Sequence, residues 1–238
     1  MKQPMREIVR ESALPYPVAG LGAGARATFL TRTYLHLYGA IVAFTLIEAF
    51  LFVTGLARMV ALTLLGTSWL AVLGGFVIVS WLASHAAHRA ESLAAQYAAL
   101  CVFVLAEAIV FVPLMVVAEY FAPGAIVGSA LTTIVGFGIL TAVVLWSGQD
   151  LSFLGRLLRW AFAVALMLVV AATLTGLQLG SLFSVAMVGL AGVAILHDTS
   201  KVLHHYPEDR YVAAALELFS SVALMFWYVL RLFLAARR

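Results

Sequence analysis

Long apolar stretches separated by short polar connections run along most of the chain. A helix that crosses the bilayer core needs about 20 predominantly apolar residues. The pattern therefore predicts seven spanning helices, and the connections between them are too short to hold a further domain. The predicted spans are residues 33–55, 60–84, 94–118, 124–147, 154–176, 178–197 and 211–235. The sequence thus predicts an all-α integral membrane protein, with a polar cytoplasmic segment over residues 1–32 and one transmembrane domain over residues 33–238.

Composition agrees with this prediction and excludes several other classes of protein. Hydrophobic residues make up 64% of the chain and charged residues 11%, whereas about 25% of residues are charged in soluble domains. The expected partner of the apolar surface is therefore the lipid bilayer. The net charge of +3 is too small to indicate a nucleic-acid partner. Cys101 is the single cysteine, so we predict neither a disulfide framework nor a cysteine-based metal site.

Basic residues predict the orientation, because cytoplasmic connections carry an excess of Lys and Arg. One side of the predicted topology holds Lys2, Arg6, Arg10, Arg26, Arg32, Arg89, Arg156, Arg159, Lys201 and Arg210. The other side holds Arg58, Arg231, Arg237 and Arg238. We therefore expect a cytoplasmic N-terminus and, because the number of spans is odd, a C-terminus on the outer side.

Ionisable residues inside the spans are candidates for function, because each needs a partner or water within the bilayer. Glu48 in the first span and Arg231 in the last are expected at comparable depth, so we predict a structural ion pair between them. Glu107 lies near the middle of the third span. It is either a buried protonated carboxyl or part of the lining of a pathway.

A polar cluster is predicted where the sixth span ends and the seventh begins. Asp198 directly follows an apolar helix, Glu217 enters the last span, and Ser221 lies one turn further on the same face. Carboxylate oxygens of this kind suit hard cations such as calcium, so Asp198 and Glu217 are the candidate metal ligands. The residues His85, His88 and Arg89 at the end of the second span are candidates for a counter-charge and for pH sensitivity. A zinc site from these histidines with His204 and His205 is a weaker alternative.

These segments also carry a resemblance to a known family. The stretch from Gly192 to Phe233, with the run from Asp198 to Lys201, resembles the C-terminal signature of the Bax inhibitor-1 family. The run from Ser147 to Gly155 is similar to the loop that precedes the fifth helix of that family. The order and positions of the two motifs agree with the family, and the resemblance covers most of the chain.

The resemblance implies a fold in which the last helix is surrounded by the other six. It also implies two aspartates, on helices six and seven, that gate a pH-sensitive calcium leak. Asp198 matches the first aspartate, and the second position falls on Ser221. A serine there resembles the bacterial branch of the family, whose members bind and modulate a membrane-anchored AAA protease. The resemblance therefore implies a prokaryotic plasma (inner) membrane as the location.

Two functions follow as expectations. The first is a pH-sensitive calcium or cation leak that is gated near Asp198, with calcium as the permeant ion and no resident cofactor. The second is a non-conducting regulator that binds a membrane AAA protease. We do not expect an enzyme, because Asp198 has only Glu217 as a second carboxylate and no nucleophile-elbow pattern frames Ser200 or Ser221.

Overall fold

The chain folds almost entirely into α-helices. The computed structural model describes residues 17–90 and 92–237, and in these ranges the only β-type pairing is an isolated bridge between Pro17 and Pro207. The helices are α1 (Ala23–Val53), α2 (Leu56–Gly66), α3 (Trp69–Arg89), α4 (Leu93–Phe121), α5 (Ala125–Ser147), α6 (Leu154–Thr175), α7 (Ser181–His204) and α8 (Tyr211–Ala235). Short 3₁₀ segments at Val18–Gly20 and Glu208–Arg210 precede the first and last of them.

Seven of these helices are long and apolar enough to cross a membrane, and α2 is the exception. This confirms the predicted all-α fold with seven candidate spans. The first span begins at Ala23, earlier than predicted, because the helix continues through a segment whose side chains are more polar. Residues 1–16, which carry Lys2, Arg6 and Arg10, and also Arg238 lie outside the described residues.

The predicted second span, residues 60–84, was wrong in its boundaries. The helical region breaks at Thr67, whose extended backbone (ψ 152°) ends α2. The helix α2 has 11 residues, which is too short to span a bilayer core of about 30 Å at 1.5 Å per residue. The spanning helix is α3, which starts at Trp69 and carries His85 and His88 inside its last turns.

The last helix is the centre of the bundle, as the resemblance implies. It packs against α1, α3, α4, α5 and α7. Three consecutive alanines, Ala213, Ala214 and Ala215, are completely buried near its start. Side chains of this size let neighbouring helix backbones approach closely within a membrane. Helix α6 is more peripheral and packs mainly against α7.

The two ends of the bundle differ in their hydrogen bonding. We call the end at which α3, α5 and α7 finish the polar end, and the opposite one the far end. At the polar end, the backbone N–H of Val18 donates to the carbonyl of Tyr206 at 2.9 Å. There the Arg210 guanidinium also donates to the carbonyl of Ala90. These bonds fasten the segment that precedes α1 and the α3–α4 connection to the α7–α8 connection.

Candidate functional site

A groove of about 850 Å³ follows one side of α8 through most of the bundle. It lies among α3, α4, α6, α7 and α8, and extends from Gly155 near the polar end to Trp69 near the far end. Its charged and hydroxyl-bearing lining residues are Ser80, Ser84, Glu107, Arg159, His197, Asp198, Glu217, Ser220, Ser221, Tyr228 and Arg231. Such groups are rare in membrane-spanning helices, and where they cluster they mark functional sites.

Two contacts between α7 and α8 form rungs across the polar end of this groove. The hydroxyl of Ser221 donates to Asp198 Oδ2 at 2.5 Å. The ammonium of Lys201 donates to both carboxylate oxygens of Glu217, at 2.8 and 3.0 Å. Asp198 and Lys201 lie on one face of α7, and Glu217 and Ser221 lie on one face of α8, because residues three or four apart share a helix face. Each rung therefore joins one residue of α7 to one residue of α8. The structure thus brings Asp198, Ser221 and Glu217 together at one end of the groove.

Two histidines complete these rungs. His197 Nδ1 lies 2.9 Å from Asp198 Oδ1, so both oxygens of Asp198 have a partner. His88 on α3 places Nε2 2.8 Å from Glu217 Oε1, while its Nδ1 lies 2.7 Å from the carbonyl oxygen of Ser84. An imidazole that carries a proton on each nitrogen donates to both of these oxygens.

The phenol of Tyr206 closes this cluster on the side of the α7–α8 connection. Its oxygen lies 2.7 Å from His88 Nε2, and its ring lies under the Lys201 ammonium at 5.4 Å from the centroid. Burial raises the pKa of Tyr206 well above its usual range, and the nearby Glu217 carboxylate acts in the same direction. The phenol therefore stays neutral over the working pH range. Sequence reasoning missed this residue, because nothing in the spacing pairs Tyr206 with a residue of α3.

The two segments that carry the family resemblance contact each other at the polar end. The hydroxyl of Ser200 accepts from the backbone N–H of Leu151 at 2.7 Å and donates to the carbonyl of Gln149 at 3.2 Å. His205 Nε2 lies 2.9 Å from a carboxylate oxygen of Asp150. The α5–α6 connection is thus anchored on the end of α7, close to Asp198.

The carboxylate of Asp150 also makes a hydrogen bond within this connection. It accepts a hydrogen bond from the backbone N–H of Ser152 at 2.9 Å. That bond, together with the contact with His205, holds the pKa of Asp150 below its usual range. Asp150 therefore keeps its charge down to acidic pH and fixes the turn that leads into α6.

Comparison with known proteins agrees with this arrangement. Residues 26–238 match the model of a family described as the inhibitor of apoptosis-promoting Bax1. The chain belongs to the Bax inhibitor-1 family. A search of curated proteins finds no match. The match includes both motif segments and all seven candidate spans except the first residues of α1.

Of the three predicted counter-charges, only His88 reaches the site of this Bax inhibitor-1 family protein. His85 is exposed on α3 and stacks on Trp81, with ring centroids 5.3 Å apart. Arg89 is also exposed, and no ion pair joins it to a carboxylate of the described residues. Of these α3 positions, only His88 points toward α8.

The predicted ion pair between Glu48 and Arg231 is wrong. Arg231 lines the groove, where it donates to the carbonyl of Leu179 at 3.2 Å and lies over the ring of Tyr228. Glu48 instead lines a second cavity, on another face of α8. The two side chains therefore face different cavities, on different faces of α8.

The candidate metal ligands Asp198 and Glu217 are engaged with hydrogen-bond donors. The Lys201 ammonium pairs with Glu217, His88 lies within hydrogen-bond distance of the same carboxylate, and Ser221 occupies one oxygen of Asp198. Within residues 17–90 and 92–237, no group of three or more His, Cys, Asp or Glu side chains could hold a metal ion. The arrangement therefore does not form a calcium cage, and His204 and His205 do not form a zinc site with His85 or His88.

Proposed function

We propose that this Bax inhibitor-1 family protein is a cation leak pathway, in which the groove along α8 conducts and the two rungs close its polar end. The observation that carries the proposal is the position of the rungs. Asp198–Ser221 and Lys201–Glu217 lie at one end of a groove of about 850 Å³ that follows the central helix.

The carboxylates of the lining can bind cations: three of them face the groove, together with the guanidinium groups of Arg159 and Arg231. Glu107 lies near its middle, and Asp198 and Glu217 lie near the polar end. Serine hydroxyls on α3 and α8 add further oxygen atoms along the same path. Calcium prefers carboxylate and hydroxyl or carbonyl oxygens over other ligands, and it tolerates irregular coordination. Calcium is therefore the first ion to test.

The two rungs correspond to a closed state of the groove. The Lys201 ammonium lies within hydrogen-bond distance of both oxygens of Glu217 and so occupies the position that an entering cation would take. Ser221 holds one oxygen of Asp198 in the same way. Separation of α7 from α8 by a few ångström would free both carboxylates together. Opening therefore breaks both rungs at the same time.

Basic residues support a cytoplasmic location for the polar end. The basic residues at or near that end are Arg26, Arg32, Arg89, Arg156, Arg159, Lys201 and Arg210, and those at or near the far end among the described residues are Arg58, Arg231 and Arg237. The excess of positive charge on one side is typical of the cytoplasmic side. The proposed gate then faces the cytoplasm, and the membrane is the plasma (inner) membrane of a prokaryote.

His88 makes the leak sensitive to pH. Histidine side chains change charge between about pH 5 and 8. Protonation of His88 adds positive charge next to Glu217, which makes the mouth less attractive to cations. Cation flux should therefore fall as the pH falls from about 8 to 6. Ser221 supplies no second carboxylate, so the response should be shallower than that of two aspartates that share a proton.

The test is calcium flux into liposomes that contain the purified protein and a calcium indicator, followed at several pH values. Asp198→Asn removes one attractive charge at the mouth, and we expect flux to fall about tenfold, which corresponds to ~1.4 kcal/mol. Ser221→Asp should make the pH response steeper, because two adjacent carboxylates share a proton. Glu208→Gln is the matched control, since this carboxylate is exposed at the same end and outside the groove.

Two results would overturn the proposal. One is equal flux and equal pH dependence in the native protein, Asp198→Asn and Ser221→Asp. The other is no flux above protein-free liposomes from a folded sample. That second result would favour the non-conducting regulator of a membrane AAA protease, and capture of such a protease by the intact chain in its membrane would then be the next measurement.

A further inference from the structure

A second cavity, of about 460 Å³, lies on another face of α8. It is enclosed by α1, α4, α5 and α8 in the half of the bundle nearer the far end. Of its lining residues, Thr45, Ala49 and Ile134 are exposed on the outer surfaces of α1 and α5. The cavity therefore opens sideways between these two helices, toward lipid. A volume of this size is typical of small-molecule sites, which lie between about 300 and 1,000 Å³.

The cavity contains a buried carboxyl group without a partner. Glu48 is only 5% exposed, and neither of its carboxylate oxygens has a hydrogen-bond partner among the described residues. The hydroxyl of Thr133, which also lines the cavity, is buried and unpartnered in the same way. Buried polar groups are nearly always hydrogen-bonded, so these oxygens require a partner that enters the cavity, either water or a ligand. Glu48 is therefore available to a molecule that enters the cavity.

The chemistry of the lining indicates the kind of ligand. Among the residues that the structure describes, no lysine, arginine or histidine lines the cavity, and a second carboxylate, Glu119, is exposed at its rim. The walls are otherwise mostly apolar and include the rings of Phe44, Phe219 and Phe226. Aromatic faces attract ammonium groups as well as apolar bodies. The described residues form no cluster with enough ligands for a metal ion, so an organic cation fits better.

We propose that this cavity binds a lipophilic amine that enters from the membrane, with its ammonium group on Glu48 and its apolar body against the three phenylalanine rings. Glu48 supplies two acceptor oxygens and Thr133 supplies a third oxygen. The site lies apart from the rungs and the mouth of the groove, and it does not depend on whether the groove conducts.

The test is equilibrium binding of 1-naphthylmethylamine to the full chain in phosphatidylcholine nanodiscs, followed by the fluorescence anisotropy of the probe. Empty nanodiscs measure the partitioning of the amine into lipid. The uncharged analogue 1-naphthalenemethanol has the same ring system without the ammonium group. We expect saturable binding of the amine at one site per chain and weaker binding of the alcohol.

Two variants locate the site. Glu48→Gln keeps the shape of the side chain but removes its charge, and it should weaken amine binding by about tenfold or more, as expected for loss of one charged hydrogen bond. Ala130→Phe fills the cavity from α5 and should abolish saturable binding while Glu48 remains. Glu208→Gln, on the other end of the bundle, should bind the amine as the native protein does.

Either of two outcomes would overturn this assignment. One is the absence of saturable binding above empty nanodiscs. The other is equal affinity of the native protein and Glu48→Gln, which would place the bound amine elsewhere. Circular dichroism and gel filtration of each variant show whether it is folded, so that loss of binding can be assigned to the cavity.

Discussion

The ion pair between Lys201 and Glu217 offers the most direct test of the closed state. Lys201→Met removes the ammonium group and keeps a side chain of similar length, and Glu217→Gln removes the negative charge and keeps the shape. The double variant removes both charges. A double-mutant cycle over the native protein, the two single variants and the double variant measures the coupling free energy between the two side chains. This quantity is separate from the effect of each single substitution.

The magnitude follows from the geometry of the contact. At 2.8 Å and an effective dielectric constant of about 20, the attraction between two unit charges is about 6 kcal/mol. Desolvation offsets much of this attraction, and the Lys201 side chain is still 34% exposed whereas Glu217 is 18% exposed. A hydrogen bond to a charged group contributes a net ~1.5–3 kcal/mol, and we expect a coupling free energy in that range.

The single variants should differ from each other. Lys201→Met leaves the Glu217 carboxylate in a largely buried position with the imidazole of His88 as its remaining hydrogen-bond partner. Glu217→Gln leaves an ammonium group that can reach solvent, because Lys201 is more exposed. Lys201→Met should therefore be the more destabilising of the two single variants. The double variant should lose less free energy of unfolding than the sum of the two single losses.

The assay is the free energy of unfolding in mixed micelles, with SDS as the denaturant and circular dichroism as the signal. Calcium flux through liposomes, measured on the same four proteins, should rise in Lys201→Met, since the bond that closes the mouth is lost while the attracting carboxylate remains. A coupling below ~0.5 kcal/mol is what an exposed surface pair gives, and it would refute our reasoning about burial. Unchanged flux in a destabilised Lys201→Met would show that the pair stabilises the fold without closing the groove.

Two glycines in close contact with side chains give further predictions. A Cβ atom on Gly128 would lie 2.6 Å from the ring of Phe233, so Gly128→Ala should destabilise the protein by ~1–3 kcal/mol, as overpacking does. Gly138→Ala on the same helix meets open space and should show no such loss in the same unfolding assay; equal loss in both would contradict this packing argument. A Cβ atom on Gly155 would lie 2.7 Å from His197 Nε2, so Gly155→Ala should displace the imidazole that contacts Asp198. We expect the calcium flux of Gly155→Ala to differ from that of the native protein, and an unchanged flux would argue against a role of the His197–Asp198 contact at the mouth of the groove.

The spans themselves could be predicted well, because a bilayer demands a length of apolar sequence that few soluble helices have. The break at Thr67 could not be predicted in the same way. Hydropathy continues across it, so a window that averages the apolar residues of α2 and α3 places a span over both. The early start of α1 at Ala23 has a similar cause, because hydropathy reports where the lipid begins and not where the hydrogen-bonded helix begins.

The contacts of Asp198 and Glu217 could be predicted in part from spacing. Glu217 and Ser221 are four residues apart on α8, and Asp198 and Lys201 are three apart on α7, so each pair shares a face. The resemblance placed Asp198 opposite Ser221, and the structure joins these two residues. The contact of Glu217 with Lys201 was not predicted, because α7 and α8 run antiparallel and their relative register depends on the packing of the whole bundle. Tyr206 was missed because its partner His88 lies on a third helix, and His197 was missed as a partner although it adjoins Asp198 in the sequence.

The wrong prediction of a Glu48–Arg231 ion pair shows that similar depth in the membrane is not sufficient to predict a contact between two side chains. Both residues were placed at a similar depth, but a pair across two helices also requires each side chain to point toward the other helix. Positions three or four apart share a face of α8, and the groove face carries Ser220, Leu224, Trp227 and Arg231. The face toward Glu48 carries Phe219, Val222 and Phe226. The rotation of α8 is fixed by its packing against five neighbouring helices, and it is this rotation that leaves Glu48 without its predicted partner and open to a ligand from the membrane.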